Sequence, residues 1–164
     1  MKILDQQQIR QKIKRLAIEI LENNHEEPEL ILAGINKTGM GFARMILEEL
    51  QKITTIQLTL TRIRLNPAAP LSQEIAIEMP VEELNGKAIL IIDDVANTGR
   101  TIFYAVKPIL TTLPKKVEVA VLVNRTHKSF PIMVDYVGLS LATTLMDDID
   151  VQILDVPEMA VFLN

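Results

Sequence analysis

Apolar residues at Ile9, Ile13, Leu16, Ala17, Ile20 and Leu21 recur three and four positions apart, which places them on one stripe and predicts an amphipathic helix from about Gln6 to Asn23. Asp5 stands where an N-cap belongs, and Pro28 follows the helix end. Leu30–Ala33 reads as a short buried strand stopped by Gly34, and Phe42, Ala43, Ile46, Leu47 and Leu50 mark a second helix after a glycine-containing loop. Ile56–Thr61 alternates, as a half-buried strand does. Ala88–Ile92 is unbroken apolar sequence, the pattern of a central parallel strand buried on both faces. A loop and a helix from about Arg100 to Leu110 follow, with Pro108 placed to kink or shorten it. Val117–Val123 is another buried strand, and shorter strands are predicted near Met133–Val137, Val151–Leu154 and Ala160–Leu163.

Alternating helix and strand signals, without repeats or a long linker, predict one α/β domain over residues 1–164, with a parallel sheet covered on both faces. Residues 62–80 break the pattern. Asn66-Pro67-Ala68-Ala69-Pro70 cannot form regular structure, and Glu74–Glu78 alternates again, as in a short hairpin. So long an insertion between core strands is expected to be a lid or binding loop.

Composition narrows the chemistry. Of 164 residues 48% are hydrophobic, enough for a substantial core, yet no apolar run is long enough to span a bilayer. The N-terminus turns polar at once, unlike a signal peptide, and there is no cysteine, so disulfides, thiolate metal sites and cysteine nucleophiles are excluded and a cytoplasmic location is expected. The net charge of −4 gives no support for RNA as a partner, although Arg125, His127 and Lys128 form a local basic cluster suited to phosphate contacts.

The segment that carries chemistry is Ile89–Thr101. A buried strand ends in Asp93-Asp94, and a short loop, Val95-Ala96-Asn97-Thr98-Gly99, opens the helix that starts at Arg100-Thr101. Open parallel sheets bind ligands at the carboxyl ends of their strands. Helix-terminal N–H groups bind a phosphate, Gly99 lets backbone approach its oxygens, and Thr98 and Thr101 add hydroxyl donors. Two carboxylates beside a phosphate suit vicinal sugar hydroxyls and can recruit hydrated Mg²⁺. An Asp-Asp pair alone more often just ends a strand. The whole string in its strand–loop–helix setting is much more specific.

This string resembles the 5-phosphoribosyl-1-pyrophosphate (PRPP) signature of type I phosphoribosyltransferases. The resemblance extends through Gly34–Gly39, Leu60-Thr61-Arg62, Leu122–Lys128 and Asp135–Gly138, and is closest to the bifunctional pyrimidine-operon regulators that also act as uracil phosphoribosyltransferases. It implies a central parallel sheet of about five strands flanked by helices, with a small hood within residues 125–164, and a homodimer or higher oligomer. By the same resemblance Asp93 and Asp94 would hold the ribose hydroxyls and, through them or water, Mg²⁺. Ala96, Asn97, Thr98, Gly99, Arg100 and Thr101 would cradle the 5′-phosphate. Asn36, Lys37, Thr38 and Gly39 would form the pyrophosphate loop, and Arg62–Ser72 a mobile flap. Tyr136, Val137 and Gly138 would face the base. Asp93, Asp94, Arg62 and Lys37 are the expected catalytic set, and the expected reaction transfers the phosphoribosyl group to a uracil-like pyrimidine. The alternative is a PRPP- or nucleotide-sensing regulator that binds RNA.

The chain departs from these relatives at definite places. Lys37-Thr38-Gly39 stands for Thr-Arg-Gly, Arg62-Ile63-Arg64 for Arg-Asp-Asp, and Asn124 for an aspartate, and Leu141–Asp148 replaces a hood segment containing serine and arginine. Asn97 occupies the position of an acid in purine-using members, and an amide cannot act as a general base. A P-loop NTPase is rejected, because Met40-Gly41 follows Gly39 where Lys and Ser or Thr are required. A receiver-like doubly wound domain would share the layout without needing the Thr98-Gly99 turn.

Overall fold

The computed structural model describes residues 1–164, and the stripe on the first helix is what seats it: Ile9, Ile13, Leu16, Ala17 and Ile20 are all buried. In chain order the elements are β1 (Lys2–Leu4), α1 (Gln6–Glu22), β2 (Glu29–Ile35), α2 (Asn36–Gln51), β3 (Gln57–Arg64), β4 (Ala76–Ile77), β5 (Ala88–Ala96), α3 (Arg100–Ala105), β6 (Lys116–Arg125), β7 (Tyr136–Leu141), β8 (Ile149–Gln152) and β9 (Ala160–Leu163). Asp5 caps α1 as expected. Its carboxylate accepts the Gln8 N–H at 2.8 Å and the Gln8 side chain accepts the Asp5 N–H at 2.9 Å, a reciprocal capping box.

The main sheet has the order β4-β3-β2-β5-β6-β7, with five parallel strands and β4 antiparallel on the edge beside β3. The unbroken apolar runs serve both faces. Leu30, Leu32, Leu90 and Ile92 pack with Ile9, Phe42 and Ile46 under α1 and α2, whereas Ile31, Ala33, Ile89 and Ile91 pack with Ile102 and Ile109 on the α3 side. Alternation of strand side chains makes this division inevitable once helices cover both faces. A second sheet, β1-β9-β8, is antiparallel and joins the two ends of the chain. No helix is long and apolar enough to cross a membrane.

Several elements differ from expectation in their bounds. α3 ends at Ala105 and a 3-10 turn, Ile109–Thr111, replaces its last part, because Pro108 lacks an N–H and disfavours helical backbone at Lys107. The strand placed near Met133–Val137 lies at Tyr136–Leu141. β2 and β5 run past Gly34 and past the acid pair, to Ile35 and Ala96.

Two glycines let α2 approach the sheet. A Cβ on Gly34 would lie 2.6 Å from the Met40 Cα, and one on Gly39 would lie 2.7 Å from the Ile92 carbonyl oxygen. Both obstacles are backbone and cannot rotate away. Gly34→Ala is therefore expected to destabilise the fold by about 1–3 kcal/mol, the range for overpacking. A shift of the urea midpoint at constant slope checks it, and an unchanged midpoint would show that α2 does not sit this close.

Candidate functional site

β2 and β5 are parallel neighbours, but the chain leaving β2 enters α2 on one face, and the chain leaving β5 enters α3 on the other. Such a switch point leaves a crevice beyond the carboxyl ends of the two strands. A cleft of about 260 Å³ occupies it, lined by Asn36 and Thr38 after β2 and by Asp93, Asp94, Asn97 and Thr101 on and after β5, with Pro67 and Ile149 at its rim. Two hollows adjoin it. One, of about 520 Å³, is lined by Ala96–Ile102, Pro67, Ser129 and Phe130. The other, of about 320 Å³, is lined by Asn36, Lys37, Arg62, Arg64, Leu65, Asn66, Gln73 and Glu74.

Asp93 is only 7% exposed, and no cation pairs with either acid. Each carboxylate accepts the next residue's N–H, Asp93 from Asp94 and Asp94 from Val95, both at 2.9 Å. Burial, reinforced by the neighbouring Asp94 charge, holds the Asp93 carboxyl well above the ordinary carboxylate range. A buried acid without a counter-ion is a place where hydroxyl donors or a hydrated cation restore what burial removes.

After β5 the backbone turns at Gly99, whose φ of +89° is left-handed and favours glycine. A Cβ there would also meet the Ile132 side chain at 2.6 Å. The Thr98 carbonyl accepts N–H groups of Ser129 and Phe130 at 2.9 and 3.2 Å, so the segment after β6 is pinned to the turn. Arg125 donates to Thr143 Oγ1 at 2.6 Å, to the Thr144 carbonyl at 2.7 Å and to Asn97 Oδ1 at 3.4 Å. Lys128 donates to the Arg125 carbonyl, and burial beside the Arg125 charge lowers its ammonium pKa. The buried Asn124 Oδ1 has no donor.

On the other wall, the expected pyrophosphate loop is the first turn of α2, which begins at Asn36 without a side-chain cap, so its N–H groups are free for an anion. Lys37 forms an exposed ion pair with Asp155 at 3.1 Å. Arg62 lies inside β3, paired in register with Gly34, and not in the flap. Its Nε is buried without a partner. Arg64 pairs with Glu78 at 2.5 Å.

The structure thus brings together Asn36, Lys37, Thr38, Gly39, Arg62, Asp93, Asp94 and Ala96–Thr101 around one crevice. It does not bring Tyr136, Val137 and Gly138 there. Tyr136 is buried, and its hydroxyl donates to Glu118 at 3.0 Å, against a strand position well before the carboxyl end of β6. Val137 and Gly138 line a separate cavity of about 620 Å³ against α1, where Lys12 donates to the Gly138 carbonyl at 3.0 Å. They belong to a core strand because β7 continues the sheet. Pro67, Ile149 and Phe130 line the site without having been singled out. Only the proline-rich break at residues 66–70 hinted at any of them.

Comparison with known proteins agrees with this geometry. The family described as phosphoribosyl transferase domain matches residues 1–158. The bifunctional protein PyrR of Streptococcus uberis is 35% identical over 157 residues, covering 94% of this chain and 90% of that protein. Its namesake in Macrococcus caseolyticus is 33% identical, covering 95% and 93%. Among solved structures, the hypoxanthine phosphoribosyltransferase of Trypanosoma cruzi superposes with a TM-score of 0.74 at 18% identity, covering 86% of this chain and 81% of that one. A hypoxanthine-guanine phosphoribosyltransferase of Bacillus anthracis gives 0.71 at 18% identity, covering 85% and 81%. Both share the fold.

A carboxyl protonated more readily in the fold than in the unfolded chain stabilises the fold at low pH, and that contribution is lost as pH rises through its raised folded-state pKa. Asp93→Asn removes this liability. Without divalent cations its melting temperature should equal or exceed that of the wild type, by a margin that widens from pH 5 to pH 8. A margin that stays flat or narrows would mean that Asp93 is not held protonated by burial.

Proposed function

Since this chain belongs to the phosphoribosyl transferase family, and with it to the pentosyltransferases, we propose that it transfers the phosphoribosyl group of PRPP to a uracil-like pyrimidine with release of pyrophosphate. The observation that carries the reading is the convergence of both anion-binding segments and the acid pair on the crevice between β2 and β5.

In this reading the N–H groups of the turn Ala96–Thr101 and the Thr98 and Thr101 hydroxyls hold the 5′-phosphate, as a ring of fixed donors. Asp93 and Asp94 accept hydrogen bonds from the ribose hydroxyls, which fixes the sugar across the crevice. The first turn of α2, with Lys37, receives the diphosphate, and Arg62 and Arg64 stand beside it. The C1′–oxygen bond to diphosphate breaks as a ring nitrogen of the base, giving up its proton to solvent, bonds to C1′, so negative charge develops where these donors point. Asn97 offers no proton acceptor beside the base, which favours a pyrimidine over a purine handled by a carboxylate.

Mg²⁺ fits the donor set in a limited way. No three His, Asp or Glu side chains converge, so the chain offers the two hard oxygen donors Asp93 and Asp94, and PRPP oxygens and water would complete the shell. When bound, the ion would neutralise charge on the departing diphosphate. A cytoplasmic homodimer belongs to the same proposal. The relatives are named bifunctional, and the second activity that the resemblance implies is RNA binding. It draws less support from the structure, because Arg125 and Lys128 of the basic cluster are engaged by the chain itself.

The test is a panel of nucleobases with PRPP and Mg²⁺, following pyrophosphate. Uracil should turn over, with hypoxanthine and guanine at background. Asp94→Asn should lower kcat/KM by about a hundredfold, the scale of losing a charge-assisted hydrogen bond of roughly 3 kcal/mol. PRPP affinity unchanged in that variant would remove the role given to Asp94.

A further inference from the structure

Asn36 has φ of +53°, one of two non-glycine residues in the left-handed region. Asparagine tolerates this conformation better than most residues, but it still costs energy that its surroundings must offset. The offset is visible. The Asn36 amide nitrogen donates to the Leu65 carbonyl at 2.8 Å, and its amide oxygen accepts the Leu65 N–H at 3.1 Å. One side chain therefore satisfies both backbone groups of the first residue after β3, where the flap begins. Two residues on, the Pro67 carbonyl accepts from the Arg100 guanidinium at 2.5 Å. Between these points the turn is stiffened by Asn66, whose side chain accepts the Ala68 N–H at 3.0 Å. The root of the flap is thus fastened to the start of α2 on one side and to the start of α3 on the other.

We propose that Asn36 is a positioning residue: its side chain does not bind the ligand but ties the flap root to the α2 first turn, so that an anion seated there also fixes the placement of Arg64, at the end of β3, and of the flap. This rests on the reading of the crevice as the phosphoribosyl transfer site. The family resemblance implies Asn36 as a PRPP contact. In the structure one amide hydrogen and the amide oxygen are committed to Leu65, so the flap root sets where this side chain lies. The left-handed backbone follows from the same arrangement, because it aims the amide across the β2–β3 boundary at Leu65.

Asn36→Gly separates the two roles. Glycine adopts the same backbone without penalty and keeps the N–H groups of the anion cradle, but removes both bonds to Leu65. Asn36→Asp keeps an acceptor for the Leu65 N–H and loses the donor to its carbonyl. In the full chain, Asn36→Gly should speed hydrogen exchange of the Leu65 amide at least about tenfold and lower kcat by about tenfold, the scale of one lost hydrogen bond of roughly 1.4 kcal/mol, with the PRPP Kd by calorimetry within about threefold. Asn36→Asp should keep Leu65 slow to exchange and recover part of kcat. Unchanged Leu65 exchange in Asn36→Gly, or a loss that falls wholly on PRPP Kd with kcat intact, overturns the proposal. If the wild type releases pyrophosphate with no base, the transfer reading fails by itself, and Leu65 exchange still decides whether Asn36 holds the flap root.

Discussion

Everything at the site follows from one constraint, the divergence of the chain after β2 and β5. Neighbouring parallel strands whose next segments go to opposite faces cannot be covered at their shared end, so backbone donors there stay open. Two glycines make the opening usable. With any side chain at Gly34 or Gly39, the first turn of α2 would stand off from β2 and β5 and the crevice would widen. With both absent, Asn36 and Thr38 come to line the same cleft as Asp93 and Asp94.

The charge layout of this crevice is unbalanced from the centre outwards. The acids sit in the middle without counter-ions, and the cations stand around the rim, most of them already engaged: Lys37 with Asp155, Arg64 with Glu78, Arg100 with Pro67, Arg125 with Thr143 and Thr144. The exposed ion pairs contribute little to stability, so exchanging Asp155 or Glu78 for a phosphate oxygen costs little. The proposed ligand suits both zones, with hydroxyl donors for the acids and phosphate acceptors for the rim. The buried Arg62 Nε and Asn124 Oδ1, each without a partner, mark where the protein alone leaves this polar shell incomplete.

Much of this was legible in the residues. The capped stripe of α1, the alternation of helix and strand and the acid pair followed by a threonine–glycine turn all depend on local pattern, and the structure shows each in place. What local pattern misjudged were positions whose fate depends on a distant partner. Tyr136-Val137-Gly138 read as part of the hood and is a core strand, because β6 offers it an edge to pair with. Arg62 read as flap and is strand, because Gly34 stands opposite it.

By itself the sequence determined which segments are mainly helix or strand, the threonine–glycine turn after the central strand and the presence of two adjacent carboxylates, because capping, periodicity and glycine are properties of a few neighbouring residues. Only the tertiary structure decided that Asp93 is buried beside α2, that Asn36 faces Leu65 and that Arg100 reaches Pro67. Those facts depend on strand order and helix placement, which bring together residues about thirty to sixty positions apart in the chain.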